Sequence, residues 1–274
     1  MQNTEINLQN SDGTALYAQE WRPETTPRGV ICVVHGLGEH GGQYANVAEA
    51  FVKQGIGLVA IDLRGHGRSE GRRGHAVSYD SLLDDIGILL KGVSDVYPGI
   101  PLFLYGHSLG GNLIVNYALR RQPTIAGIVA TAPWLRLTKD IVWYKRIAAT
   151  LLEPFWPALT FSTANDREEN HEEVGFRRNP ELYHSAITVR LLMSSRRAGI
   201  WAAKHGDLLR IPALVIHGTA DRVTDPQASA DFARQAGSEC DCILLPGVTH
   251  NPHEEDASTI ASIVDWVSHK VDGT

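Results

Sequence analysis

Cysteine is scarce in this 274-residue chain, at 3 in all, and Cys32, Cys240 and Cys242 suggest no disulfide framework. No Cys/His cluster has zinc-like spacing either, so no metal or other cofactor is expected. Cys240 and Cys242 read as neighbours on one face of a short strand. Long apolar runs are also missing: nothing approaches the ~20 residues that span a bilayer. The polar start, Met1 to Gly13, lacks the basic-then-apolar layout of a signal peptide, and a cytoplasmic placement is expected. There is no surplus of positive charge. With 25 Lys+Arg against 31 Asp+Glu the net charge is −6, which gives no electrostatic ground for nucleic-acid binding. What is abundant is apolar residue, 43% of the chain, which excludes disorder. The length suffices for one large core burying roughly three quarters of the unfolded surface.

The apolar residues are distributed with a clear rhythm. Thr4–Gln9 and Thr14–Trp21 alternate apolar and polar positions around Ser11-Asp12-Gly13, which predicts an antiparallel hairpin. Short, nearly continuous apolar runs follow at Val30–Val34, Gly57–Ile61, Leu102–Tyr105, Gly127–Ala132, Ala213–Ile216 and Cys242–Leu245. Strands buried on both faces look like this. Segments with helical spacing lie between several of them: Tyr44–Lys53, Tyr79–Val96, Asn112–Arg121 and Pro226–Gln235, with Ser258–Val271 closing the chain. The alternation predicts an α/β fold, a mostly parallel sheet with helices on both faces, because parallel strands need crossover connections.

One interval breaks the rhythm. About 80 residues between Ala132 and Ala213 carry no buried-strand signal, yet hold Trp134, Trp143, Trp156 and Trp201. Ile141, Val142, Tyr144, Ile147, Ala148 and Leu151 fall on one broad helical face, which Pro154 and Pro157 interrupt. We read residues 134–207 as a helical insertion on a core made of residues 1–133 and 208–274. Asn165–Glu173 is a charged turn within it.

The sharpest chemical signal is Gly106-His107-Ser108-Leu109-Gly110, between an apolar run and a helical pattern. A nucleophile at such a strand-to-helix turn has strained backbone geometry and tolerates only small residues two positions to either side. Serine needs an imidazole to take its proton. His250, in the loop after Cys242–Leu245, lies at the carboxyl edge of a strand, where open α/β sheets place their sites. His253 competes and is read as a neighbour shaping the pocket. The imidazole in turn needs a carboxylate, and Asp221 follows the run Ala213–Ile216. Asp225, before Pro226, reads better as a helix cap, and Asp62 precedes the serine in the chain. A tetrahedral oxyanion needs two N–H donors. The nominees are Leu109, next to Ser108, and Leu37 in the loop His35–His40, where His35 is expected to brace the turn.

His35–His40, Asp62–Gly71, Gly106–Gly110, Gly218–Asp221 and Gly247–Glu254 together resemble the monoacylglycerol lipase and lysophospholipase-like group of serine α/β-hydrolases. The resemblance covers most of the chain outside the insertion. It implies the α/β-hydrolase fold with a helical cap, the triad Ser108, Asp221 and His250, and oxyanion donors at Leu37 and Leu109. It further implies that Glu39 and His253 hold glycerol hydroxyls, and that Ile141–Leu152, with Trp143, forms an acyl-binding and membrane-touching surface. Gln43 departs from the pattern, standing where arginine is expected in mammalian-type members. His107 is expected to pack behind the nucleophile and His66 to organise its own loop.

The expected activity is cofactor-independent hydrolysis of monoacylglycerols or similar medium- to long-chain esters, with a small lipid-like substrate as the partner. Two alternatives compete: a proline-iminopeptidase-like aminopeptidase, for which the acidic turn Asn165–Glu173 would hold an α-amino group, and a non-catalytic binding module. Lys139, Lys145 and Arg146 around Trp143 fit transient membrane contact, but also fit a cap helix facing its own core.

Overall fold

The computed structural model describes residues 1–163 and 180–273. The acidic stretch Asn165–Glu173 lies outside the described residues. An opening hairpin, β1 (Gln2–Gln9) and β2 (Ala15–Arg22), pairs antiparallel and then joins β4 (Ile56–Ile61), also antiparallel. The other neighbours are parallel: β3 (Gly29–Val34), β5 (Leu102–His107), β6 (Gly127–Thr131), β9 (Ala213–Gly218) and β10 (Cys240–Leu245). The resulting order is β1-β2-β4-β3-β5-β6-β9-β10. This is the mostly parallel sheet the apolar runs predict.

The period-two geometry of a strand explains why those runs are continuous. In β3, Val30, Cys32 and Val34 face one helical layer while Ile31 and Val33 face the other. The first layer holds α2 (Tyr79–Val96), α3 (Leu109–Arg121), α5 (Val189–Ala202) and α6 (Pro226–Ala236), packed through residues such as Leu89, Leu113 and Phe232. The second holds α1 (Ala45–Lys53) and α7 (Ala257–Asp272), packed through Phe51, Ile263 and Val267. Caps fix where these helices begin. Asp225 accepts a hydrogen bond from Gln227 N–H at 2.9 Å with Pro226 at the first position, the cap read from the sequence. Such a cap contributes about 1 kcal/mol. Ser78 caps α2 in the same way, accepting from Ser81 N–H at 3.0 Å.

Between β6 and β9 stand α4 (Trp143–Leu152), a short antiparallel pair of β7 (Thr160–Ser162) with β8 (Ala186–Thr188), and α5. The strand pair is a difference from the sequence reading, which places no strand here; three residues are too few for periodicity to register. α4 differs as well. It starts at Trp143, and of its residues only Ala149 is buried, while Tyr144, Ile147 and Leu151 are exposed. Among the described residues no helix is long and apolar enough to cross a membrane.

Candidate active site

Chain order places the site. β4, which follows β3 in the chain, pairs on one side of it and the next strand, β5, on the other, so the strand order reverses there and a crevice opens at the carboxyl ends of β3 and β5. Ser108 stands between β5 and α3 with φ 50° and ψ −110°, a left-handed conformation uncommon for a residue with a side chain. The neighbouring glycines make that turn possible. A Cβ on Gly106 would lie 2.5 Å from the Gly110 carbonyl oxygen, and one on Gly110 only 1.9 Å from that of Val34. The second contact also shows how closely the start of α3 packs on the end of β3. That packing sets Gly110 against the carbonyls of Val34 and His35, where the His35–His40 loop begins, and the N–H of Leu109, first in α3, has no intrahelical acceptor.

The imidazole of His250 bridges the other two predicted residues. Its Nε2 is 3.1 Å from Ser108 Oγ and its Nδ1 is 2.7 Å from Asp221 Oδ2. Residues more than 100 positions apart thus share one hydrogen-bonded line; Ser108 and His250 are separated by 142. Asp221 is fully buried at its carboxylate and richly supplied with donors. Its Oδ1 accepts from Val223 N–H at 2.7 Å and Thr224 N–H at 3.0 Å, and its Oδ2 accepts from Thr224 Oγ1 at 2.8 Å. Burial alone would raise its pKa, but the hydrogen bonds from His217 and His250 outweigh it and hold the carboxyl well below the usual carboxylate range.

His217 is the residue that sequence reasoning missed. Its Nε2 sits 3.0 Å from Asp221 Oδ2 and its Nδ1 2.7 Å from Ser229 Oγ, with the ring fully buried. A polar residue inside the apolar stretch of β9 had to have a partner, and Asp221 four residues on was the nearest candidate. The rejected carboxylates have structural work of their own. Asp62 accepts from Gly41 N–H at 2.6 Å and Arg68 N–H at 2.8 Å, and Asp225 caps α6.

A second set of side chains lies beneath His250. The His107 ring is fully buried 5.0 Å from that of His250 and 4.8 Å from that of His253, and burial holds it neutral, its pKa well below the ordinary value. His253 stacks on Tyr44 at 5.6 Å, and burial lowers its pKa to about 4. Glu39 Oε2 accepts from Gly36 N–H at 2.8 Å and from the Tyr44 hydroxyl at 3.3 Å. Burial would raise its carboxyl, and the hydrogen bond it accepts from the Gly36 N–H acts in the opposite direction. At Glu254, burial, with Glu39 and Glu255 nearby, raises the pKa to about 7. His35 braces its loop, donating from Nδ1 to the Gly36 carbonyl at 2.7 Å and accepting at Nε2 from Leu63 N–H at 3.0 Å. Gln43 closes the following turn, its side-chain oxygen accepting from His40 N–H at 3.0 Å. Trp143 stands apart from this group, 65% exposed, its ring edge-on to Tyr144. Among the described residues no group of His, Cys, Asp and Glu forms a metal site.

The arrangement can activate a hydroxyl, and its relatives have related chemistry. A family model described as serine aminopeptidase, S33 (Hydrolase_4) matches residues 25–257. An uncharacterized abhydrolase domain-containing protein of Dictyostelium discoideum is 30% identical over 97% of this chain, which spans only 29% of that protein. Monoglyceride lipase of Rattus norvegicus is 28% identical, with 97% of this chain and 90% of the relative covered. The crystal structure of Paleococcus ferrophilus monoacylglycerol lipase superposes with a TM-score of 0.77 at 26% identity, covering 98% of this chain and 100% of that one. The chain belongs to the serine aminopeptidase S33 (Hydrolase_4) family and is a serine hydrolase with the α/β-hydrolase fold.

Proposed function

We propose that this protein hydrolyses carboxylic esters of the monoacylglycerol type through an acyl-enzyme on Ser108. The observation that carries the reading is the unbroken line of hydrogen bonds from Ser108 Oγ through His250 to Asp221, at 3.1 and 2.7 Å. As Ser108 Oγ bonds to the ester carbonyl carbon, its proton passes to His250 Nε2, and Asp221 stabilises the imidazolium through Nδ1. The N–H groups of Leu37 and Leu109 hold the oxyanion, each contributing about 10²–10³ in turnover. His250 then protonates the departing alcohol. A water, deprotonated by the same imidazole, attacks the acyl-enzyme and releases the carboxylic acid.

Substrate class rests on the relatives named monoglyceride or monoacylglycerol lipases and on the apolar insertion. Residues 134–207 act as a cap over a core of residues 1–133 and 208–274. Glu39 and His253 are assigned to the glycerol hydroxyls. Their place beside His107 and His250 supports this, as does a His253 Nδ1 without a hydrogen-bond partner among the described residues. The outward row Trp143, Leu151, Phe155 and Trp156 suits a lipid surface that delivers the acyl chain, with Trp143 meeting the substrate there. A cytoplasmic setting accords with the free thiols Cys32, Cys240 and Cys242.

A hydrolysis panel tests the proposal: monoacylglycerols of graded chain length, a lysophospholipid, a triacylglycerol and a proline arylamide. The expected result is the highest kcat/KM on a monoacylglycerol. A proline arylamide turned over faster than every ester would overturn it in favour of the aminopeptidase activity in the family's description.

A further inference from the structure

Between the amino end of α2, the carboxyl end of α3 and the outer face of α5 lies a cavity of about 480 Å³ that shares no lining residue with the Ser108 site. Its charges are unevenly matched. Arg197 is engaged by both oxygens of Glu153, each at 2.7 Å. Asp80 is met by Arg121 at 3.3 Å, which also reaches Asp84 at 3.0 Å. Glu153 is thereby paired one-to-one, while Asp80 and Asp84 share the single charge of Arg121.

Arg120 and Arg190 have no carboxylate partner among the described residues. Arg120 Nε donates to Asn116 Oδ1 at 2.9 Å, and its guanidinium lies 4.0 Å from the centre of the Trp201 ring. Arg190 Nη1 donates to the Val77 carbonyl at 2.7 Å, while its buried Nε has no acceptor among the described residues. A guanidinium carries five donors, and leaving one buried and unpaired is costly. The amino end of α2 adds partial positive charge to the same space through Ser78 and Tyr79.

We propose that this cleft is a binding site for a phosphate group, held between Arg120 and Arg190. Arg120, Arg121, Arg190 and Arg197 outnumber Asp80, Asp84 and Glu153, so the cleft keeps a net positive charge, and a phosphate monoester supplies an anion with three strong acceptor oxygens suited to guanidinium forks. The volume leaves room for an organic portion beyond the phosphate. The same chemistry is offered by a soluble phosphate ester and by the headgroup of phosphatidate.

Calorimetric titration of the full chain with inorganic phosphate and with sn-glycerol 3-phosphate tests the soluble source. Co-sedimentation with phosphatidylcholine vesicles, with and without phosphatidate, tests the lipid source. Saturable binding is expected in at least one arm, weakened about tenfold by Arg120→Gln or Arg190→Gln and more by both together. Heat with the soluble ligands identifies a free ester; binding only to phosphatidate vesicles identifies a headgroup. Unchanged turnover of a p-nitrophenyl ester and an unchanged Tm show that the variants are folded. If a glutamine variant unfolds, Arg190→Lys keeps the charge, loses the fork, and is expected to weaken binding several-fold. No saturable binding in any arm, or equal binding by a folded double variant, would overturn the assignment.

Discussion

From Leu102 to Asn116, the strand, turn and helix that carry Ser108 are buried at every position, whereas α4 buries Ala149 alone and exposes Trp143 and Leu151 at 65% and 67%. Both segments are rich in apolar residues. In the first, successive strand side chains pack alternately into the two helical layers, and a strained backbone at Ser108 is held by its buried surroundings. In the second, an amphipathic helix turns its apolar face outward, where packing constrains it little. The proposed reaction geometry lies in the fully buried part of the molecule, and the proposed lipid contact would fall on the exposed part.

The largest effect should come from removing the nucleophile. Ser108→Ala is expected to lower p-nitrophenyl ester turnover about a million-fold with no loss of folding, measured by burst-free steady-state assay and thermal melting; turnover retained in clean protein would break the catalytic half of the contrast. Gly110→Ala attacks the rigidity itself. Its Cβ would press 1.9 Å from the Val34 carbonyl oxygen, and a loss of more than about 3 kcal/mol is expected in urea unfolding. A change below about 0.5 kcal/mol would show that the turn adjusts as freely as the insertion.

Glu254 offers a subtler test at the margin of the site. Its folded pKa of about 7 lies above the ordinary 4.5, so the native state binds extra protons between those values and stability falls as pH rises through that window. Glu254→Gln should therefore stabilise the protein at pH 8 by about 1 kcal/mol, allowing for its partial exposure, with no gain below pH 4.5. A gain of equal size at both pH values would contradict the burial origin of the shift. Smallest of all is the expected stability change for Trp143→Ser with Leu151→Ser, within about 0.5 kcal/mol. The same pair should reduce liposome flotation; unchanged flotation would remove lipid docking from the role of α4.

Legibility followed burial. Five of the six apolar runs became β3 to β6 and β9, buried at every position as strands covered on both faces must be, whereas the sixth became β10, an edge strand that is partly exposed, with Leu244 at the surface. Ser108, His250 and Asp221 were readable from motif, strand end and chain order, and lie within hydrogen-bonding reach of one another. His217 was hidden by its own setting, since inside β9 it looked like one more position of a buried strand. β7 and β8 were too short to show a period. For α4, periodicity supplied a face and nothing about what that face meets: Tyr144, Ile147 and Leu151 could as well have packed inward.

The backbone of Ser108 sits at φ 50°, a value that glycine adopts freely and serine does not. The reactive residue is thus also a place where the chain could become sturdier by giving up its side chain. A hydroxyl held at this angle sets resilience against reactivity at a single position.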